Sequence, residues 1–231
     1  MFSYVIEFIK SPSFSPTSDK RVAANLLLRC VGLYLLWIIP VIILVSLTVV
    51  IAKQFGFEPS FHNSMSLLKN VYGNYFFLTG SLLIPILEET AFRLGLSFKK
   101  HHVSIGIAAL FFFFARSFVE AGNQWISLSV LLALAIIVAF VLYRYVKQSL
   151  LSKWQEEYGK ITVYIVSFLF VFLHVFNHGP LYLQYALVYI ILLLPTLLLV
   201  IFITFLRMRV GFFAGVLFHI LLNTCGLLLS F

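Results

Sequence analysis

The chain has 231 residues, 62% of them hydrophobic and only 10% charged, with a mean hydropathy of +1.06. A soluble domain is typically about 45–50% apolar and about 25% charged, so this composition excludes a soluble globular protein and points to a single polytopic membrane domain. The net charge of +8 would suggest nucleic acid in a soluble protein; here basic cytoplasmic loops explain it more simply, and no nucleic-acid partner is expected.

Residues 1–21 read as an interfacial segment followed by a Ser/Pro-rich linker, SPSFSPTSDKR. Without a basic start or a continuous apolar run, and with Pro12 and Pro16 interrupting it, this segment does not read as a cleavable signal peptide. Residues 22–231 are expected to form one transmembrane domain. The first span covers about 22–52 and carries Pro40. A mixed loop at 53–70 leads to a second span at about 71–98, and the basic turn KKHH follows at 99–102. Further spans are expected at about 103–119 and 125–146, separated by the loop EAGNQ. A charged stretch, 147–160, precedes a short fifth span at 161–176, which stops at Asn177-His178-Gly179-Pro180. The sixth span, 181–206, contains Pro195 as a kink, and the seventh runs over 211–231. The expected fold is therefore all-α, a bundle of about seven spans.

Basic residues orient this layout. With the N-terminus in the cytoplasm, only Lys53, Lys69 and Arg116 of the 16 Lys and Arg residues fall outside, so 16 − 3 = 13 lie inside. That asymmetry fits the positive-inside rule. Cys30 and Cys225 lie in apolar segments near opposite ends of the chain and suggest neither a disulfide framework nor a cysteine metal site.

The polar residues inside the spans carry the functional signal. The stretch 82–96, LLIPILEETAFRLGL, places Glu88, Glu89 and Arg93 in apolar surroundings. An ionisable group within the hydrocarbon is costly and marks a functional site by default. Helical spacing stacks Glu89 on Arg93 at i and i+4, whereas Glu88 diverges by about 100°. One carboxylate is then neutralised and the other is left for acid–base chemistry. In FVFLH (170–174), His174 taken alone reads as an interhelical hydrogen-bonding group slightly ahead of a catalytic one. His178 follows at i+4, a spacing that resembles a metal-ligand pair; the helix stop favours a loop role at the aqueous edge instead. In HILLN (219–223), His219 and Asn223 share a helix face and can orient a water or donate to an oxyanion. A purely structural polar seam is open for each of these groups. Together they need one another or water, since lipid satisfies none of them. Counted from the cytoplasmic ends of their spans at ~1.5 Å per residue, Glu88 and His219 lie at similar depths of roughly 15 and 12 Å. His174 comes out deeper, unless its helix begins inside the charged stretch or tilts strongly.

These three stretches resemble the motifs of the CAAX protease and bacteriocin-processing (CPBP, Abi-type) family of intramembrane endopeptidases, which includes the type II CAAX prenyl endopeptidases. E-E-x-x-x-R is matched by Glu88, Glu89 and Arg93, F-x-x-x-H by Phe170 and His174, and H-x-x-x-N by His219 and Asn223, in order and over about residues 74–229. The resemblance implies an integral membrane protease of a prokaryotic plasma membrane, acting on a membrane-associated peptide or protein in the lipid bilayer. It implies that Glu88 and His174 activate the attacking water and that His219 and Asn223 stabilise the oxyanion. Glu89, Arg93 and Phe170 would support the site. No cofactor is required in one version; in the other a divalent metal such as zinc is held by Glu88, His174 and His219. A non-catalytic bacteriocin self-immunity or scaffold protein of the same fold is the alternative. A proton-relaying transporter is a third reading, although no inverted repeat is evident.

Overall fold

The computed structural model describes residues 2–57, 73–116, 124–178 and 181–228, and among these every regular element is helical. Helix α1 is Phe2–Lys10 and α2 is Lys20–Gln54. A 3-10 turn at Gly73–Tyr75, one α-turn at Phe76–Leu78 and a π-helical turn at Thr79–Leu83 lead into α3, Ile84–Arg93, which tightens into a 3-10 turn at Leu94–Ser97. Then come α4, Lys100–Ala115, and α5, Gln124–Tyr145. Helix α6, Gln148–Leu173, ends in a 3-10 turn, His174–His178. Helices α7, Ala186–Leu192, α8, Leu194–Arg209, and α9, Phe212–Leu228, complete the bundle.

Four stretches are long and apolar enough to cross a membrane: Lys20–Gln54, Gly73–Ser97, Ile126–Tyr145 and Gln148–His178. The pair Leu183–Leu192 and Leu194–Arg209, bent by 45°, makes a fifth if it counts as one span. Helices α4 and α9 are apolar but shorter, 16 and 17 residues. At ~1.5 Å per residue they rise roughly 24–26 Å, less than the ~30 Å of a hydrocarbon core. The described residues thus show four to five candidate spans, where the sequence led to an expectation of about seven. Most of the expected loop at 53–70 and nearly all of EAGNQ lie outside the described residues.

Local sequence explains the boundaries. Asp19 caps α2, its Oδ1 accepting from the backbone N–H of Arg21 at 2.8 Å and of Val22 at 3.3 Å. The charged stretch 147–160 is not a loop: α6 starts at Gln148, with Lys153 and Glu157 3.8 Å apart at i and i+4. No proline interrupts it, and its charges alternate with Leu151, Trp154 and Tyr158 in an amphipathic run. Helix α6 thus begins at the very start of the charged stretch, as one of the two explanations for the depth of His174 requires. Gln148 also fastens the turn before α4. Its Nε2 donates to Phe98 O and its Oε1 accepts from Lys100 N, both at 2.9 Å. Phe98 has φ 54°, a left-handed conformation that needs such support in a residue with a Cβ.

The core is built around α8, whose residues Phe202–Met208 are all buried. Tyr34 of α2 meets Phe202 and Phe218 edge-on at 6.0 and 5.7 Å. Phe8 of α1 meets Phe205 at 5.4 Å, so the N-terminal segment docks on the bundle through Val5 and Phe8. Two glycines permit close helix contact. A Cβ on Gly106 would stand 3.3 Å from Thr90 O and Gly95 N, and one on Gly215 would stand 3.4 Å from Ile203 O.

Candidate functional site

Helix α3 is positioned by an irregularity. Pro85 has no N–H, and the π-helical turn before it sends the Ile84 N–H to Thr79 O. Gly80 O loses its α-helical donor, Ile84, and its π-helical donor position is Pro85. Asn223 of α9 supplies the missing hydrogen bond, Nδ2 to Gly80 O at 3.3 Å. The amide thus ties α9 to the entrance of α3, one turn along from His219.

Glu88, Glu89 and Arg93 are all buried, with Glu89 and Arg93 each 1% exposed. Arg93 Nη1 donates to Glu89 Oε1 at 2.5 Å, the i, i+4 pair expected from spacing. His219 comes in from α9 between the two glutamates. Its Nδ1 lies 2.9 Å from Glu89 Oε1 and its Nε2 3.7 Å from Glu88 Oε2. A carboxylate only accepts, so Nδ1 carries a proton, and Nε2 is turned towards Glu88. The 3.7 Å gap is too long for a direct hydrogen bond and suits a bridging water between Nε2 and Oε2.

Phe170 is the hinge of the arrangement. The Arg93 guanidinium lies over its ring at 4.3 Å, and its centroid is 4.5 Å from that of His174 and 6.2 Å from that of His219. Arg93 Nη2 finds no hydrogen-bond partner among the described residues, and this cation–π contact is what the guanidinium has in exchange. His174 donates from Nδ1 to Phe170 O at 2.8 Å, which leaves its Nε2 as an acceptor. The structure therefore joins Glu89, Arg93 and His219 directly and places Glu88 3.7 Å from His219. Asn223 is joined to the same helix start, and Phe170 stands between His219 and His174. Among the described residues no hydrogen bond or ion pair links His174 to Glu88. His178 is buried, 9% exposed, rather than at an aqueous edge. The α-helix does stop before it, as the Asn-His-Gly-Pro signal led to expect: in the 3-10 turn His174–His178, four residues at 120° each leave the two imidazoles about 120° apart rather than on one face.

Two residues of α8 belong to the site and carried no signal in the sequence. Thr204 Oγ1 lies 3.4 Å from Arg93 Nε. Arg207, expected in a cytoplasmic turn, is 3% exposed and donates to the carbonyls that end α3: Nε to Arg93 O and Nη2 to Leu94 O, both at 3.1 Å. A cation at a helix C-terminus satisfies unpaired carbonyls and complements the helix dipole. A threonine in an apolar run and an arginine near a span end are ordinary in membrane helices, so nothing local distinguishes them.

The zinc alternative asks for Glu88, His174 and His219 around one point. The Nδ1 bonds of both histidines match the support that metal-bound imidazoles receive. As placed, however, only Glu88 and His219 converge, and no group of three His, Cys, Asp or Glu side chains among the described residues is arranged to share an ion. A catalytic zinc takes three protein ligands, so the donor set as it stands does not fit one and no step below is routed through a metal. No family model, curated protein or solved structure matches the chain.

Proposed function

We propose that the protein is an intramembrane endopeptidase that hydrolyses a peptide bond in a membrane-associated peptide or protein. The observation that carries this reading is the buried pairing of Glu88 with the Nε2 of His219, beside a separately neutralised Glu89–Arg93 pair. Glu88 acts as general base. It takes a proton from a water held between its carboxylate and His219, the water oxygen attacks the carbonyl carbon, and the proton passes to the leaving amine. Asn223 has a second N–H for the oxyanion. His174, with a free Nε2, is assigned to the same water by resemblance to the CAAX protease and bacteriocin-processing family, and its route to Glu88 runs past Phe170. Glu89, Arg93 and Phe170 hold the frame. In this reading α4, α9 and the bent α7–α8 pair are spans as well, giving seven crossings with the N-terminus in the cytoplasm of a prokaryotic cell.

Purified protein reconstituted in bilayers and offered a library of membrane-anchored peptides tests the proposal. Cleavage by the natural chain and none by Glu88→Ala is the expected result; equal cleavage by both removes the proposed base. Activity that survives exhaustive chelation and metal analysis would favour hydrolysis by water alone.

A second reading, a non-catalytic immunity or scaffold protein, is favoured by one observation. The polar groups largely satisfy one another: Glu89 with Arg93 and His219, His174 with Phe170 O, Asn223 with Gly80 O. Its signature is protection of the host cell that persists when Glu88 and His174 are both replaced.

A further inference from the structure

Two cavities that share Pro12 follow one another along α6, and together they form a groove whose two ends differ in character. At its apolar end is a cavity of about 410 Å³ lined by Val163, Ser167 and Val171 of α6 and by Leu197, Val200 and Thr204 of α8. At its polar end is a second cavity, of about 860 Å³, whose lining includes Ser152, Gln155, Glu156, Glu157 and Lys160 of α6 and Met208 of α8. In the apolar cavity Val163, Ser167 and Val171, and likewise Leu197, Val200 and Thr204, recur every three or four residues and so share a helix face, whereas nearly consecutive α6 residues line the polar cavity. The outer wall of both cavities is the N-terminal segment, and Pro12 lines the two of them. That segment is fastened in place: Tyr164 Oη donates to Ile9 O at 2.6 Å, Ser15 N to Met208 O at 3.1 Å, and Thr17 N to Arg209 O at 2.8 Å. At the 45° bend between α7 and α8, Ile190, Leu193 and Leu194 also line the apolar cavity.

We infer that this groove binds one phospholipid of the bilayer, with an acyl chain in the apolar cavity and a head group bearing phosphate and a primary ammonium in the polar one. From Val163 to Val171 the groove rises about 12 Å, close to the ~15 Å of one leaflet's hydrocarbon. The head-group end offers both signs. Glu157 is engaged with Lys153, whereas Glu156 and Lys160, though at i and i+4, make no ion pair with each other among the described residues. A carboxylate and an ammonium one turn apart complement a zwitterion: Lys160 faces the phosphate and Glu156 the primary ammonium. This inference is independent of the catalytic reading.

The test is native mass spectrometry of the full chain released from bilayers containing equal parts phosphatidylethanolamine, phosphatidylcholine and phosphatidylglycerol. Expected is one retained lipid per chain, enriched in phosphatidylethanolamine. Glu156→Gln, on an exposed face, should lower that enrichment about threefold, the size of an exposed ion pair, and should not reduce phosphatidylglycerol. Ser167→Trp, which fills the apolar cavity, should abolish retention of all three. Retention of phosphatidylglycerol over phosphatidylethanolamine, or unchanged enrichment in Glu156→Gln, overturns the inference. So does full retention by a folded Ser167→Trp protein; if that variant does not fold, Glu156→Gln decides alone.

Discussion

Helix α5 and the stretch Gly73–Ser97 are both membrane-length, yet they are built for opposite surroundings. In the most apolar window of α5 only 6% of residues are buried inside the protein, against 44% in Gly73–Ser97. The more apolar helix is the one left facing outwards, because lipid rather than protein is its solvent. The stretch with two glutamates, an arginine and a broken helical start is the one the bundle encloses, because none of those groups is satisfied by hydrocarbon. In a membrane protein, burial follows polarity that needs partners, and the site lies where that need is greatest.

The comparison can be broken by substitution, and the largest effect is expected at the enclosed pair. Glu89→Ala leaves Arg93 buried without its counter-charge and should cost about 3–5 kcal/mol, read as unfolding in mixed micelles. If Glu89→Ala is as stable as the natural chain, the pair does not hold the frame. Next is Gly106→Val, which forces α4 away from the backbone of Thr90 and Gly95 and should cost about 1–3 kcal/mol by overpacking. Asn223→Ala, which leaves Gly80 O without a donor, should cost on the order of 0.6–1.7 kcal/mol, the range of hydrogen bonds within membrane helices. On the lipid-facing side Ile137→Leu in α5 should stay within about 0.5 kcal/mol; a larger loss would show that this face of α5, and not only the one on α4, packs against protein. The smallest effect is in pH. In the basic turn 99–102, ahead of the span expected from 103, His102 has its pKa lowered by burial and then by His101, Arg207 and Lys99, and its Nδ1 pairs with Ser97 Oγ at 2.6 Å. The folded state therefore prefers neutral His102. That contribution is present above the ordinary histidine range and is lost as pH falls through it, because the unfolded chain binds the proton first. Replacing His102 with Gln should flatten this acid-side slope in unfolding measured against pH.

Much of this arrangement was legible in the sequence. The i, i+4 spacing of Glu89 and Arg93 is a local property, and the pair forms as the spacing requires. The similar depths of Glu88 and His219 followed from counting residues, and the two side chains meet. Three features were not legible. The extra turns of α6 were left open, because a charged stretch reads equally as a segment outside the membrane and as the solvated face of a helix. The π-helical turn before Pro85 depends on which carbonyl finds a donor from another helix, and that donor, Asn223, is distant in sequence. Arg207 was counted among the cytoplasmic charges because its carbonyl partners at the end of α3 appear only once the helices are packed.

The most direct test of the central claim, that the two adjacent glutamates divide chemistry from support, is the rate of peptide cleavage by Glu88→Gln in bilayers, with its unfolding measured on the same preparation. The expected result is cleavage reduced about 10²–10⁴-fold, with stability close to that of the natural chain. Cleavage at the natural rate by a folded Glu88→Gln protein would contradict the account.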